Sequence, residues 1–256
     1  MKKLLKSVAL FVSFLFITLC FQATTYGYRA AWESIDQYNG VAPDLSECVN
    51  EALLFQNEIA LRAGTTWWTS FGFANNSVWE TDFKVEGLGG ADYLYADNVD
   101  LMLFSGHGSS NGFYFGTWND DPQLHWTEAQ WGDQDLEWII IDACCVLNNA
   151  DNNVWNRWGW PVFKGLHYIL GYSSTTYDVN TRGRDFIKYA TMYGYSVRNA
   201  WYWSTVISED GTTAAYLRAD DATIPTDTYN DHLWGFGYTS PDPVHPTTLY
   251  YSYWTT

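Results

Sequence analysis

Three stretches of this chain are apolar almost without a break: "VDLMLF" at 99–104, "WIIIDA" at 138–143 and "LHYILGY" at 166–172. A strand with one wet face alternates apolar and polar residues. A continuous run needs cover on both faces, as in a parallel sheet between two other layers. Helical patterns separate these runs. From Asp44 to Ala63, apolar side chains recur at Leu45, Cys48, Val49, Ala52, Leu53, Phe55 and Ile59, close to a 3.6-residue period, and Gly64 marks a stop. Arg184–Tyr193 reads as a second helix ended by Gly194. Ser196 caps a third that runs to about Thr205, with Val197, Ala200, Trp201 and Ser204 facing inward. Residues 28–35 and Trp67–Phe73 read as further strands, residues 75–90 as a loop with a possible short strand, and "GFYFG" at 112–116 as a hairpin arm. Strands alternating with helices predict an α/β fold, a three-layer sandwich with a mainly parallel central sheet and helices on both faces.

The chain has 256 residues, enough for a single domain with a large core. Residues 1–27 read separately. Lys2, Lys3 and Lys6 precede an apolar run from Val8 to Phe21, the layout of a secretory signal peptide and too short for a membrane span. The expected mature domain is 28–256, with its motifs in about 95–205 and a C-terminal wrap over about 206–256; its tail from Asp220 holds four of the seven prolines and reads as irregular with one or two strands. The location expected is extracellular; lipid anchoring through Cys20 is the alternative, against which stands the bulky Leu19. Loss of the leader removes three of the thirteen cationic residues and no acid, leaving a net charge of −19. Such a surface repels nucleic acid and anionic lipid. The mature chain keeps Cys48, Cys144 and Cys145, an odd number with two adjacent, which makes a poor disulfide framework and a better case for one reactive cysteine beside inert ones.

The first two buried runs end in chemistry. "LMLFSGHG" delivers Gly106-His107-Gly108, and "WIIIDACC" delivers Asp142-Ala143-Cys144-Cys145. In a parallel sheet, ligands bind at the carboxyl ends of strands, and both motifs lie there. An imidazole beside a thiol can take its proton, activate it as a nucleophile and later protonate a leaving amine. Glycine at 108 lets a backbone N–H approach a developing oxyanion, and glycine at 106 permits a tight exit from the strand. Were the strand to continue to residue 145, the two thiols would lie on opposite faces.

The two motifs, in this order, resemble those of the caspase-like cysteine peptidases, the group of legumain, gingipains, separase and the caspases. The likeness continues through "GLHYILGYSSTTYD" and "YGYSVRNAW", over about residues 95–205. It implies the caspase-like form of the sandwich, a His107 general base, a Cys144 nucleophile, and an oxyanion hole from the Gly108 and Cys144 N–H groups. It further implies a pocket shaped by Asp142, lined by Ser173 and Ser174, with Asp178 selecting a basic residue. The partner implied is a peptide or protein substrate, and no cofactor is required.

The remaining candidates are blander. His125 reads as structural or exposed and His167 as a core histidine. His232 lacks spaced partners for zinc, and "NNADNN" at 148–153 reads as a solvated loop before a calcium site, so no metal is expected. A rival reading comes from the fifteen tryptophans. Trp118, Trp126, Trp131, Trp155, Trp158 and Trp160 cluster in sequence near the motifs, and displayed on the surface they would make an inactive domain that binds polysaccharide or peptide.

Overall fold

The computed structural model describes residues 27–116, 121–224 and 226–256. The expected leader up to residue 26, with Cys20, and Trp118 lie outside these residues. The strands are β1 (Tyr28–Ser34), β2 (Trp67–Ala74), β3 (Leu101–Ser105), β4 (Gly108–Ser109), β5 (Gly112–Tyr114), β6 (Gln123–His125), β7 (Trp138–Asp142), β8 (Tyr168–Tyr172), β9 (Thr213–Asp220) and β10 (Thr248–Thr255). Seven of them form one sheet in the order β10-β9-β8-β7-β3-β1-β2, and β4-β5-β6 form a small antiparallel ribbon. From β2 to β8 the sheet is parallel; β9 and β10 add antiparallel pairs at one side. The protein is thus a mixed α/β structure with a mainly parallel central sheet, the architecture expected of a caspase-like sandwich.

Side-chain alternation sorts the core into two layers. Leu101 and Leu103 of β3, Trp138 and Ile140 of β7, and Tyr168 and Leu170 of β8 face one side; Met102, Phe104, Ile139, Ile141 and Ile169 face the other. The first side is covered by three helices, α1 (Cys48–Arg62), α2 (Arg182–Thr191) and α3 (Val197–Ser208). Their buried stripes include Ala52, Phe55 and Ile59, then Phe186 and Ile187, then Val197, Ala200 and Trp201.

The second side differs from the expected helical layer. Among the described residues it is covered by single 3-10 turns between Asn75 and Asn98, the β4-β5-β6 ribbon and a π-helical turn at Trp155–Gly159. Short turns fill space poorly, and large rings make up the volume. Phe104 lies 4.3 Å from Phe113 between ring centroids, Phe83 packs edge-on against Phe104, and Trp131 stacks on Trp158. Much of the aromatic content is therefore core. The segment after residue 206 carries β9 and β10, which extend the central sheet.

His167 immediately precedes β8, at the sheet end opposite the two motifs. It is fully buried, with Nδ1 2.5 Å from Asp231 and Nε2 3.2 Å from Asp242, and these carboxylates hold its pKa above the usual histidine range against the cost of burial.

Burial also raises many carboxyls: Asp82 and Asp100 to about 6, Asp92 to about 7 and Asp97 to about 9, with Glu33, Glu51 and Glu137 pushed well up. Each such group binds more protons folded than unfolded, so it stabilises at low pH and loses that contribution as pH rises through its folded pKa. His167 acts in the same direction. The lowered acids, Asp151 and Asp221, titrate below this window. The melting temperature is therefore expected to fall between pH 5 and pH 8. In a chain this size ~1 kcal/mol moves Tm by about 2–4 °C, and differential scanning fluorimetry should show a drop of at least that. A Tm that rises over this interval would contradict the assignment.

Candidate active site

The order of the strands fixes where a crevice opens. From β1 the chain goes outward to β2, then returns to the other side of β1 with β3 and continues to β7. The sheet reverses direction of growth at β1/β3, and a crevice forms beyond the carboxyl ends of the strands at such a reversal. Ser34, Ser105 and Asp142, the last residues of β1, β3 and β7, stand side by side there.

His107 follows β3. Its backbone N–H donates to the Tyr38 hydroxyl at 2.6 Å, and the two rings lie 4.7 Å apart. Its Nε2 is 2.8 Å from the Pro43 carbonyl oxygen. A carbonyl only accepts, so Nε2 carries the proton, and a neutral ring keeps its lone pair on Nδ1. Tyr38 and Pro43 belong to the loop after β1. That loop is fixed by Asn75, which accepts from the N–H groups of Asp36 and Gln37, and by Asp44, which accepts from that of Tyr38. Gly106 leaves room for the Tyr38 hydroxyl, since a methyl group there would lie 2.4 Å from it.

Cys144 follows β7, which ends at Asp142; a turn takes over, and Cys145 adopts a left-handed backbone with φ 61°. The continued strand that would oppose the two thiols is therefore not formed. The Cys144 sulfur lies 3.4 Å from the Thr176 N–H nitrogen and 3.6 Å from its carbonyl oxygen. Cys145 donates its N–H to Ser174 O. Cys48, Cys144 and Cys145 are all free thiols. Burial pushes the Cys48 thiol far up and raises Cys145.

The two motifs touch. Gly106 N–H donates to Asp142 O, and a methyl group at Gly108 would lie 2.8 Å from the Ala143 Cβ and 2.9 Å from the Cys144 carbonyl oxygen. Only glycine allows this approach. Tyr114 N–H bonds His107 O, so by the alternation of an antiparallel ladder Gly108 and Phe113 form a non-bonded pair, and the Gly108 N–H points away from the ribbon. Among the described residues the Cys144 N–H has no protein acceptor. His107 and Cys144 line one cleft of about 90 Å³, whose walls include Leu45, Asp142, Thr176 and Val179.

The other predicted pocket residues divide. Asp142 lines the cleft, but both its oxygens are held by Arg182, at 2.5 and 2.7 Å. Asp178 also lines it, yet its carboxylate accepts from Ser46 N, Ser46 Oγ, Glu47 N and Cys48 Sγ and so pins the approach to α1, while Asp36 accepts from the helical Val49 N–H. Ser173 and Ser174 stand outside the cleft lining. Their backbone N–H groups reach Thr213 O, and Ser174 Oγ accepts from Thr213 N, bracing β8 against β9. Thr176, Tyr177 and Val179 line the cleft further along the same segment.

Sequence reading missed Arg182 and Glu209. Arg182 Nη1 bonds Glu209 Oε1 at 3.0 Å and Nη2 bonds Tyr177 O at 2.8 Å, while Glu209 accepts from Thr176 Oγ1 and Tyr177 N. One signal was present. Arg182 opens α2, where a cation opposes the helix dipole and needs an acid to hold it.

The remaining candidates hold structural places. His125 caps a 3-10 turn through Thr127, and Asp151 of "NNADNN" pairs with Arg157. The His232 ring packs against Gly237. No cluster of three or more His, Cys, Asp or Glu side chains suited to a metal ion occurs among the described residues, and no helix there is long and apolar enough to cross a membrane. Of the tryptophans near the motifs, Trp131 and Trp158 are core, Trp126 and Trp155 are half-buried, and Trp160 is exposed.

An α/β protein with a histidine and a cysteine facing one cleft at the strand ends is what these features define. The chain belongs to the DUF6345 family, a domain of unknown function whose model matches residues 32–256. No curated protein matches the sequence. Among solved structures it is similar to a secreted C11 cysteine protease from Bacteroides thetaiotaomicron, determined by X-ray in complex with an irreversible peptide inhibitor. The identity is 12%, the match covers 75% of this chain and 66% of that one, just under two thirds, and the TM-score is 0.41.

Asp178→Ala removes the acceptor that holds Ser46 and Glu47 just before α1 and leaves Asp36 on the Val49 N–H. It is expected to cost ~1 kcal/mol, read as a lower urea midpoint with an unchanged slope. An unaltered midpoint would show that the carboxylate is not spent on this turn.

Proposed function

We propose that the protein is a secreted cysteine endopeptidase in which His107 and Cys144 form the catalytic pair. The observation that carries this reading is that the two residues line one cleft, with His107 held at Nε2 by Pro43 O so that its basic nitrogen is Nδ1. In the reaction, Nδ1 takes the thiol proton and the sulfur attacks the peptide carbonyl carbon. A C–S bond forms and the carbonyl electrons move onto oxygen, where the Gly108 and Cys144 N–H groups receive the charge. The oxyanion collapses, the C–N bond breaks, and the imidazolium gives its proton to the departing amine. Water, deprotonated by the same imidazole, then hydrolyses the thioester and returns the thiol. None of these steps requires a cofactor. The binding-module alternative draws less support, because Trp131 and Trp158 are consumed in the core.

The test needs no knowledge of the preferred substrate. Iodoacetamide modification is followed by peptide mass mapping at pH 6.5, alongside hydrolysis of an unfolded protein substrate. Cys144 is expected to react about tenfold or more faster in wild type than in His107→Ala, the range of a positioned base. Hydrolysis should vanish in Cys144→Ala and His107→Ala and persist in Cys145→Ala. Hydrolysis that survives Cys144→Ala, or a Cys144 rate indifferent to His107, would refute the pair.

A further inference from the structure

The charged side chains that face the cleft are matched from within the protein. Asp142 stands two residues before Cys144 and gives both oxygens to Arg182. Arg182 gives two further donors to Glu209 and Tyr177 O, and its guanidinium lies over the Tyr172 ring, 5.1 Å from the centroid. Asp178 is taken up by the N–H groups and hydroxyl at the start of α1. A cationic substrate side chain would enter beside the Arg182 guanidinium and find the oxygens of both carboxylates already bonded, those of Asp142 by Arg182 and those of Asp178 by Ser46, Glu47 and Cys48. An anionic one would meet Asp142 and Asp178. Each would lose its hydration with no partner to replace it. The rest of the wall is uncharged apart from His107, mostly short or apolar (Leu45, Cys48, Thr176 and Val179) with Tyr177 as its one large ring, and the cleft holds only about 90 Å³.

We infer that the pocket beside Cys144 accepts a short, uncharged side chain, so that the substrates are peptides cleaved after residues such as alanine, serine or valine. Arg182 is the residue that sets this preference: it neutralises Asp142 and, through Tyr177 O and Glu209, fixes the Thr176–Tyr177 wall. This rests on the peptidase reading and goes beyond it in naming the substrate class. It also replaces the basic preference that Asp178 implied in sequence.

The experiment uses the full chain and a series of acyloxymethyl ketone tripeptide probes that differ only in the residue bearing the reactive ketone: alanine, valine, arginine, lysine or aspartate. Labelling is timed by intact mass, with Cys144→Ala as the blank. The alanine or valine probe is expected to modify Cys144 about tenfold or more faster than the charged ones, the scale of discrimination available to a pocket of this kind. An arginine, lysine or aspartate probe that labels as fast would overturn the inference and leave the peptidase reading intact. Failure of every peptide probe to modify Cys144 would overturn both. Arg182→Gln uncovers the Asp142 carboxylate and should raise the arginine-to-alanine rate ratio about tenfold. The ratio is taken within one sample, so a smaller folded fraction does not enter it, and an unchanged ratio in a folded variant would remove Arg182 from the role. Should the variant fail to fold, the wild-type series decides.

Discussion

The guanidinium of Arg182 is the point from which the candidate site hangs. It is buried at the first residue of α2, and it ties together the end of β7 through Asp142, the residue after α3 through Glu209, and the segment after β8 through Tyr177 O. Buried ion pairs are no general source of stability, because desolvation consumes most of the Coulombic gain. What they supply here is geometry. A planar fork with five donors satisfies two carboxylates and a carbonyl in fixed directions, which a lysine could not do. Removing one partner would leave a bare charge in the interior, at a cost of about 3–5 kcal/mol.

The charge balance around that fork explains a neighbour that looks anomalous alone. Glu51 is wholly buried on α1, accepts from Ser105 Oγ and Gly183 N–H, and has a pKa raised well above the usual range by burial and by Asp142. Its two oxygens accept from different elements. Glu51 joins β3, which leads to His107, to the first turn of α2, which carries Arg182. The histidine side and the cysteine side of the cleft are thereby braced by adjacent residues of the same helix, Arg182 and Gly183.

Much of the scaffold was legible in the sequence because its signals are local. Continuous apolar runs identified β3, β7 and β8, and the 3.6-residue period identified α1 within a few residues. That His107 and Cys144 would lie at one cleft was legible for the same reason, since each follows a strand whose neighbours in the sheet could be guessed. The pocket was harder. Ser173 and Ser174 follow β8 directly, and nothing local says that the antiparallel β9 arrives to consume their polar groups. β9 itself, "TAAYLRAD", lacks the dense branched run of the other strands because it packs small alanines at 214, 215 and 219. Asp178 beside a pocket reads as a specificity residue until α1 is known to start next to it. The layer opposite the helices was misread for a related reason: 3-10 turns have no amphipathic period, and their cover is supplied by rings whose partners lie far away in sequence.

The backbone carries a further mark of where the site lies. Among the described residues, four that are not glycine have positive φ, and three of these are asparagines at 39, 75 and 152. Asparagine tolerates the left-handed region because its short amide bonds the local backbone. The fourth is Cys145, a residue with no such compensation, at a cost of about 1–3 kcal/mol that the surroundings must over-determine. Its N–H is fixed to Ser174 O, and Leu147 N–H to Tyr172 O, so the turn is clamped onto the end of β8. The strain reverses the chain immediately after Cys144, which leaves that thiol at the cleft and not sealed in the sheet. Cys48 also lines the cleft that holds His107, but it is buried, so Cys144 is the cleft cysteine that this strained turn leaves partly open to solvent.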